Sequence, residues 1–112
     1  MQIQNQPVIK LAGKQYHIPG ERLSEGDIAP DFRYINNNLK AHRFYHLIKR
    51  PKLISVFPSI DTGVCAAQNI NFNREAEKYK DQIEFISVSV DLPFALKRFQ
   101  ETKCLYHIKM IS

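Results

Sequence analysis

The feature that most constrains the fold is a pair of short β-branched runs separated by a longer amphipathic segment. Leu53 to Phe57 is a continuous apolar run too short for a helix, which is typical of a strand buried on both faces. Cys65 to Lys80 follows with apolar residues near one face at helical spacing, and Ile83 to Val90 is again β-branched. This order predicts an α/β fold in which two parallel strands are joined by a right-handed helical crossover.

Upstream, residues 2–18 are expected to form an N-terminal β-hairpin, because two short extended runs flank Gly13, which permits a tight turn. Residues 19–32 contain two prolines and two glycines and indicate a connector. The periodicity of residues 36–52 is weak, and it is compatible with either a short strand or a turn of helix.

Downstream, a second helix is predicted to run to about Lys103. Asp91 is the expected N-cap, and Pro93 falls in the first turn, where its missing N–H costs nothing. Leu105 to Ile111 can form one last short strand.

Composition narrows the function classes. With 112 residues, of which 44% are hydrophobic, the chain is expected to form one globular domain over residues 1–112. We expect a soluble cytoplasmic protein, because neither a secretory leader nor a membrane span is recognisable. The net charge of +5 is dispersed, which argues against nucleic-acid binding. The four histidines do not cluster with the cysteines, so no metal and no cofactor is expected.

The two cysteines, Cys65 and Cys104, are too few for a disulfide scaffold. Cys65 lies at the predicted start of a helix, where unsatisfied backbone N–H groups favour the nucleophilic thiolate. Thr62 precedes it by three residues and can donate a hydrogen bond to a thiolate or a peroxide oxygen, while Pro58 can wall one side of a pocket. The alternative is a small buried hydrophobe beside an ordinary helix cap.

Four segments then match, in order, a pattern known from other proteins. They are APDF (Ala29 to Phe32), SVFPSIDTGVC (Ser55 to Cys65), FN (Phe72 and Asn73) and SVDLPFALKRF (Ser89 to Phe99). With Pro58, Thr62 and Cys65 in the Pro-x-x-x-Thr-x-x-Cys signature, the chain resembles the bacterial thiol peroxidases, the atypical 2-Cys branch of the peroxiredoxin family.

The resemblance implies a thioredoxin-like fold and a peroxidase that reduces hydrogen peroxide and alkyl hydroperoxides in antioxidant defence. Cys65 would be the peroxidatic cysteine that becomes a sulfenic acid, Thr62 would bond the sulfur and the peroxide, and Pro58 would shield the site. The backbone N–H groups of Val64 and Cys65 would help to hold the peroxide. Thioredoxin would be the reductant, and the expected assembly is a homodimer.

Two departures from the family pattern accompany the match. Gln100 occupies the place of the family's resolving cysteine, and Cys104 lies four residues later at a position where the family has glycine. Either Cys104 resolves the sulfenic acid or an external thiol does. The chain is also expected to be truncated at its C-terminal side, lacking the family's last strands, closing helix and peroxide-polarising arginine. A weakly active or inactive remnant, acting only as a dimerising or redox-sensing module, is therefore the alternative function.

Overall fold

The computed structural model describes residues 6–112, which divide into two compact units. The first unit ends at Pro30 and contains a two-stranded antiparallel hairpin, β1 (Val8–Leu11) and β2 (Lys14–His17). Ala12 and Gly13 form its turn with φ angles of 51° and 79°, and two positive φ values are what a type I′ hairpin turn requires. The predicted hairpin is confirmed from Val8 onward, whereas its expected start at residues 2–5 lies outside the described residues.

The second unit, Asp31–Ser112, is built on a three-stranded parallel sheet with strand order β5-β6-β7. The strands are β5 (Lys52–Val56), β6 (Glu84–Val88) and β7 (Lys109–Ile111). Helix α1 (Gly63–Lys78) connects β5 to β6, and α2 (Pro93–Thr102) connects β6 to β7. The predicted strand-helix-strand unit is confirmed as β5, α1 and β6. The strand predicted at the end of the chain is also present, but β7 is only three residues long.

A second antiparallel pair, β3 (Arg33–Ile35) and β4 (Ala41–Arg43), precedes the parallel sheet. The 3₁₀ turn Phe44–His46 follows β4 directly. Residues 36–52, whose weak periodicity was compatible with a short strand or a turn of helix, therefore contain both. Ile35 and Ser112 exchange backbone hydrogen bonds of 2.8 and 3.1 Å, which tie β3 to the end of β7.

Alternation along the strands divides the core between the two faces of the sheet. On one face, Phe85 and Met110 pack with apolar residues from α1, α2 and the loops, including Cys65 and Leu96. On the other face, Ile86 packs in a second cluster of buried residues, whose other members are Tyr34, Phe44 and Ile111.

The expectation that the first core strand is buried on both faces is wrong. β5 pairs only with β6 among the described residues, and the side chain of Val56 is 74% exposed. An apolar run predicts a strand but carries no information about whether other elements pack on both of its faces or whether a second strand pairs with its free edge. β5 therefore presents an apolar edge with unpaired backbone groups.

Candidate active site

Cys65 lies where the sheet passes into α1. β5 ends at Val56, and the next residue, Phe57, still donates its backbone N–H to Val88 O at 3.1 Å. A loop that begins with the exposed Pro58 leads to α1, and Cys65 is the third residue of that helix. Its side chain is a free thiol, only 5% exposed, within the apolar cluster of Phe57 and Leu96. The predicted position at a helix start is confirmed.

Thr62 is the N-cap of α1. Its Oγ1 accepts a hydrogen bond from the Cys65 N–H at 3.3 Å and donates to Ser59 O at 3.1 Å. The backbone N–H groups of Gly63 and Val64, at the first two helical positions, have no intrahelical acceptor, and they contribute to the positive end of the helix dipole. In this arrangement the Cys65 N–H is engaged by Thr62, and the hydroxyl proton of Thr62 points to Ser59.

Asp91 holds this loop from the adjacent strand end, a role that differs from the predicted one. The N-cap of α2 is Leu92, so the assignment of Asp91 as a helix cap is wrong. Its Oδ1 accepts from Ser59 Oγ at 2.8 Å, and its Oδ2 accepts from the Ile60 N–H at 2.9 Å and from Ser89 Oγ at 2.8 Å. The partners Ser59 and Ile60 are more than thirty residues away along the chain, a separation that hides them from local sequence patterns.

These contacts stabilise the ionised form of Asp91. Partial burial raises the pKa of the carboxyl, but hydrogen bonds from Ile60, Ser89 and Ser59 outweigh that effect and hold the pKa below its ordinary value of 3.8. The anchor of the loop is therefore a carboxylate at neutral pH.

Asn69 is a further residue that the sequence pattern did not single out. It lies one turn after Cys65, is fully buried, and donates from Nδ2 to Cys65 O at 2.9 Å. Its Oδ1 has no hydrogen-bond partner among the described residues. The sequence did contain a signal for this contact, because Asn69 is a polar residue four positions after Cys65 on the predicted apolar face of the helix.

Cys104 lies just beyond the C-terminal end of α2, whereas Asp91 lies just before its N-terminal end. Cys104 is exposed, follows the last helical residues with a φ of 55°, and precedes Leu105, whose N–H bonds Gln100 O at 2.9 Å. This is the left-handed position after a helix that glycine normally occupies. Asp91 contacts the cysteine loop just before α2, and the ten residues of α2 span about 15 Å, so a Cys65–Cys104 disulfide requires α2 to unwind.

Gln100, which occupies the place of the family's resolving cysteine, makes structural hydrogen bonds. Its Nε2 donates to Leu105 O at 2.7 Å and to Ile108 O at 2.8 Å, and its Oε1 accepts from Asn37 Nδ2. The side chain thus binds the segment between α2 and β7 to the end of the helix.

Within residues 6–112, no group of three histidine, cysteine, aspartate or glutamate side chains is arranged as metal ligands would be. No helix in this part of the chain is both long enough and apolar enough to cross a bilayer. The polar groups at the helix start are the Cys65 thiol, the Thr62 hydroxyl and the backbone N–H groups of the first turn.

A cysteine in the first turn of a helix that follows a parallel strand is a feature of thioredoxin-like domains. Residues 26–112 match the model of the AhpC/TSA family, and the chain belongs to that family. It is 44% identical over 104 residues to a thiol peroxidase of Staphylococcus aureus and 42% identical to one of Halalkalibacterium halodurans. Each alignment covers 93% of this chain and 62% of the relative, so the chain spans less than two thirds of these relatives' length.

Solved structures agree on the fold. A peroxiredoxin-like protein from Aquifex aeolicus superposes with a TM-score of 0.85 at 28% identity, covering 94% of this chain and 61% of that one. A thiol peroxidase from Chromobacterium violaceum superposes with a TM-score of 0.80 at 21% identity and the same coverage. The predicted thioredoxin-like, peroxiredoxin fold is confirmed.

Proposed function

We propose that this chain is a thiol-dependent peroxidase that reduces hydrogen peroxide and alkyl hydroperoxides. The observation that carries the proposal is the position of Cys65, a free thiol at the third position of α1 beside its threonine cap, within a match to thiol peroxidases at 44% identity. The helix start favours the thiolate, which is the nucleophilic form.

In the proposed reaction, the Cys65 thiolate attacks the distal peroxide oxygen. The S–O bond forms as the O–O bond breaks, the sulfur is oxidised to a sulfenic acid, and the alkoxide or hydroxide leaving group takes a proton to give an alcohol or water. Because Cys65 is almost fully buried, the loop containing Pro58 has to admit the peroxide.

Thr62 is proposed to turn its hydroxyl from Ser59 O toward the attacking sulfur and the peroxide. The Val64 N–H has no intrahelical acceptor and is therefore proposed as a peroxide donor, while the Cys65 N–H is available once Thr62 moves. Pro58 is proposed to limit the access of water.

Two routes can return the sulfenic acid to the thiol. In one, Cys104 condenses with it to a disulfide and water leaves, which requires α2 to unwind because Cys104 lies beyond the far end of that helix. In the other, an external thiol attacks Cys65 directly. We propose thioredoxin as the reductant and a homodimer as the assembly, because the family resemblance implies both, and we propose the cytoplasm as the compartment.

Stopped-flow mixing with hydrogen peroxide and tert-butyl hydroperoxide tests the activity. We expect a second-order rate at least about 100-fold above that of free cysteine, and trapping of a sulfenic acid at Cys65 by a 1,3-dione with mass-spectrometric detection. Cys65→Ser should abolish both signals, whereas Cys104→Ser should leave the first oxidation step unchanged.

A rate equal to that of free cysteine would overturn the proposal. It would favour the remnant function, whose supporting observation is the open edge of β5. Mass spectrometry of the oxidised protein separates the two recycling routes, since only the first yields an intramolecular Cys65–Cys104 disulfide.

A further inference from the structure

We propose that Asp91 is a positioning residue for Cys65, whose carboxylate fixes the loop after β5 and thereby sets the place of the attacking sulfur. This inference rests on the proposed peroxidase function. It assigns a role in that reaction to a side chain that follows β6, whereas the cysteine follows β5.

The anchor itself has three bonds. Both carboxylate oxygens are used, by the hydroxyls of Ser59 and Ser89 and by the backbone N–H of Ile60, all between 2.8 and 2.9 Å. Ser59 and Ile60 belong to the loop after β5, and Ser89 directly follows β6. Asp91 therefore joins the carboxyl ends of two adjacent parallel strands.

From this anchor, hydrogen bonds continue without a break to the cysteine. Ser59 O accepts from both the hydroxyl and the N–H of Thr62, at 3.1 and 3.3 Å. Thr62 Oγ1 in turn accepts from the Cys65 N–H. A displacement of Ser59 is therefore transmitted to Thr62, and then to the first turn of the helix that carries the thiol.

The charge of the carboxylate strengthens all three bonds of the anchor. An ionised aspartate is an acceptor only, and here it accepts from the Ile60 N–H and from the hydroxyls of Ser59 and Ser89. An asparagine could still accept from the Ile60 N–H and could donate to a serine hydroxyl oxygen, but it would lose the charge that strengthens these bonds. The main chain at Asp91 is held as well, since its carbonyl accepts from Ser112 Oγ at 2.6 Å.

Asp31 offers a matched control in the same unit. Its carboxylate accepts from the N–H groups of Tyr45 and Phe32 and from Arg43 Nη1, at 2.9 to 3.0 Å. It therefore anchors a turn with a similar number of bonds, and within residues 6–112 none of these bonds leads to Thr62. Asp31→Asn tests for a general effect of losing a carboxylate anchor.

The experiment compares the wild-type chain with Asp91→Asn and Asp31→Asn. For each, we would measure the rate with hydrogen peroxide, the rate of Cys65 alkylation by iodoacetamide, and amide hydrogen exchange at Thr62 and Cys65. Asp91→Asn should slow the peroxide reaction about 10- to 100-fold, because small misplacements of reacting atoms are costly, while alkylation changes less than about 3-fold. Exchange at both amides should quicken about 10-fold in this variant alone.

Several outcomes would overturn the inference: a wild-type peroxide rate in Asp91→Asn, an equal slowing in Asp31→Asn, or equal losses of peroxide and alkylation rates. If Asp91→Asn fails to fold, Ser59→Ala, which removes one of the three bonds, should show the same selective loss at smaller size. If the wild-type chain has no peroxidase activity but exchange at Cys65 still quickens in Asp91→Asn, the proposed function is refuted, while the anchoring of the cysteine loop by Asp91 is supported.

Discussion

Replacing Gln100 by alanine should lower the free energy of unfolding by about 2 kcal/mol. The partly buried side chain donates to two backbone carbonyls, of Leu105 and Ile108, and accepts from Asn37. A typical intramolecular hydrogen bond contributes a net of about 0.5 to 1.5 kcal/mol. Three such bonds sum to about 3 kcal/mol, and partial access of water to the freed groups reduces the loss to about 2 kcal/mol.

Urea denaturation followed by circular dichroism measures this loss. With an m value of about 2 kcal/mol per molar urea, the midpoint should fall by about 1 M. Gln100→Cys, which restores the sulfur that the family pattern has at this place, should lose as much as alanine, because a thiol cannot donate to two carbonyls at once.

Gln68→Ala is the matched control. Gln68 also lies on a helix, but it is exposed and makes one side-chain bond, to Ser55 Oγ at 2.6 Å, so its loss should be below about 0.5 kcal/mol. A Gln100→Ala variant within 0.5 kcal/mol of wild type, or losses of equal size in the two variants, would refute the structural role of Gln100.

Three further predictions follow from other positions. Cys104→Gly should raise the free energy of unfolding by about 1 kcal/mol in urea titration, because glycine relieves the cost of a φ of 55°. Because the pKa of Asp91 is lowered in the fold, its stabilising effect is complete above the ordinary value of 3.8 and is lost as the pH falls through the lowered pKa. The urea concentration at the unfolding midpoint should therefore decrease when the pH is lowered below about 4, and this decrease should be smaller in Asp91→Asn. Val56→Lys, at an exposed position of the β5 edge, should reduce self-association in light scattering while changing stability by less than about 0.5 kcal/mol.

Each of these has a contrasting result. Cys104→Ala keeps the positive φ, so a gain equal to that of glycine would argue against backbone strain. An acid profile of Asp91→Asn parallel to that of wild type would mean that other groups carry the acid sensitivity. Self-association that is unchanged in Val56→Lys would exclude the β5 edge as the surface involved.

Local signals predicted the elements that position the site. The apolar run of β5 and the polar break after it placed Cys65 at a helix start, and the helix begins at Gly63, two residues before the expected residue. Thr62 does cap α1, as its spacing from Cys65 allowed. These features depend on residues within a few positions of one another, and short-range hydrogen bonding determines them.

Long-range contacts decided the rest. Asp91 precedes a proline-containing helix start and has the residue type of an N-cap, yet its carboxylate turns to Ser59 and Ile60 instead. A local sequence pattern cannot predict these hydrogen-bond partners, because Ser59 and Ile60 come close to Asp91 only when β5 pairs with β6. Gln100 is similar, since its Oε1 accepts from Asn37, which is 63 residues away along the chain.

The sequence by itself determined the strand-helix-strand unit, the hairpin turn, and a cysteine with its threonine cap, because periodicity, turn residues and capping act over a few residues. Only the tertiary structure decided that the Cys65 thiol is buried, that Asp91 anchors the loop, and that the side chains of Leu53 and Val56 on β5 are exposed. Burial and polar partnership depend on which segments meet across the sheet, and that is a property of the packed chain.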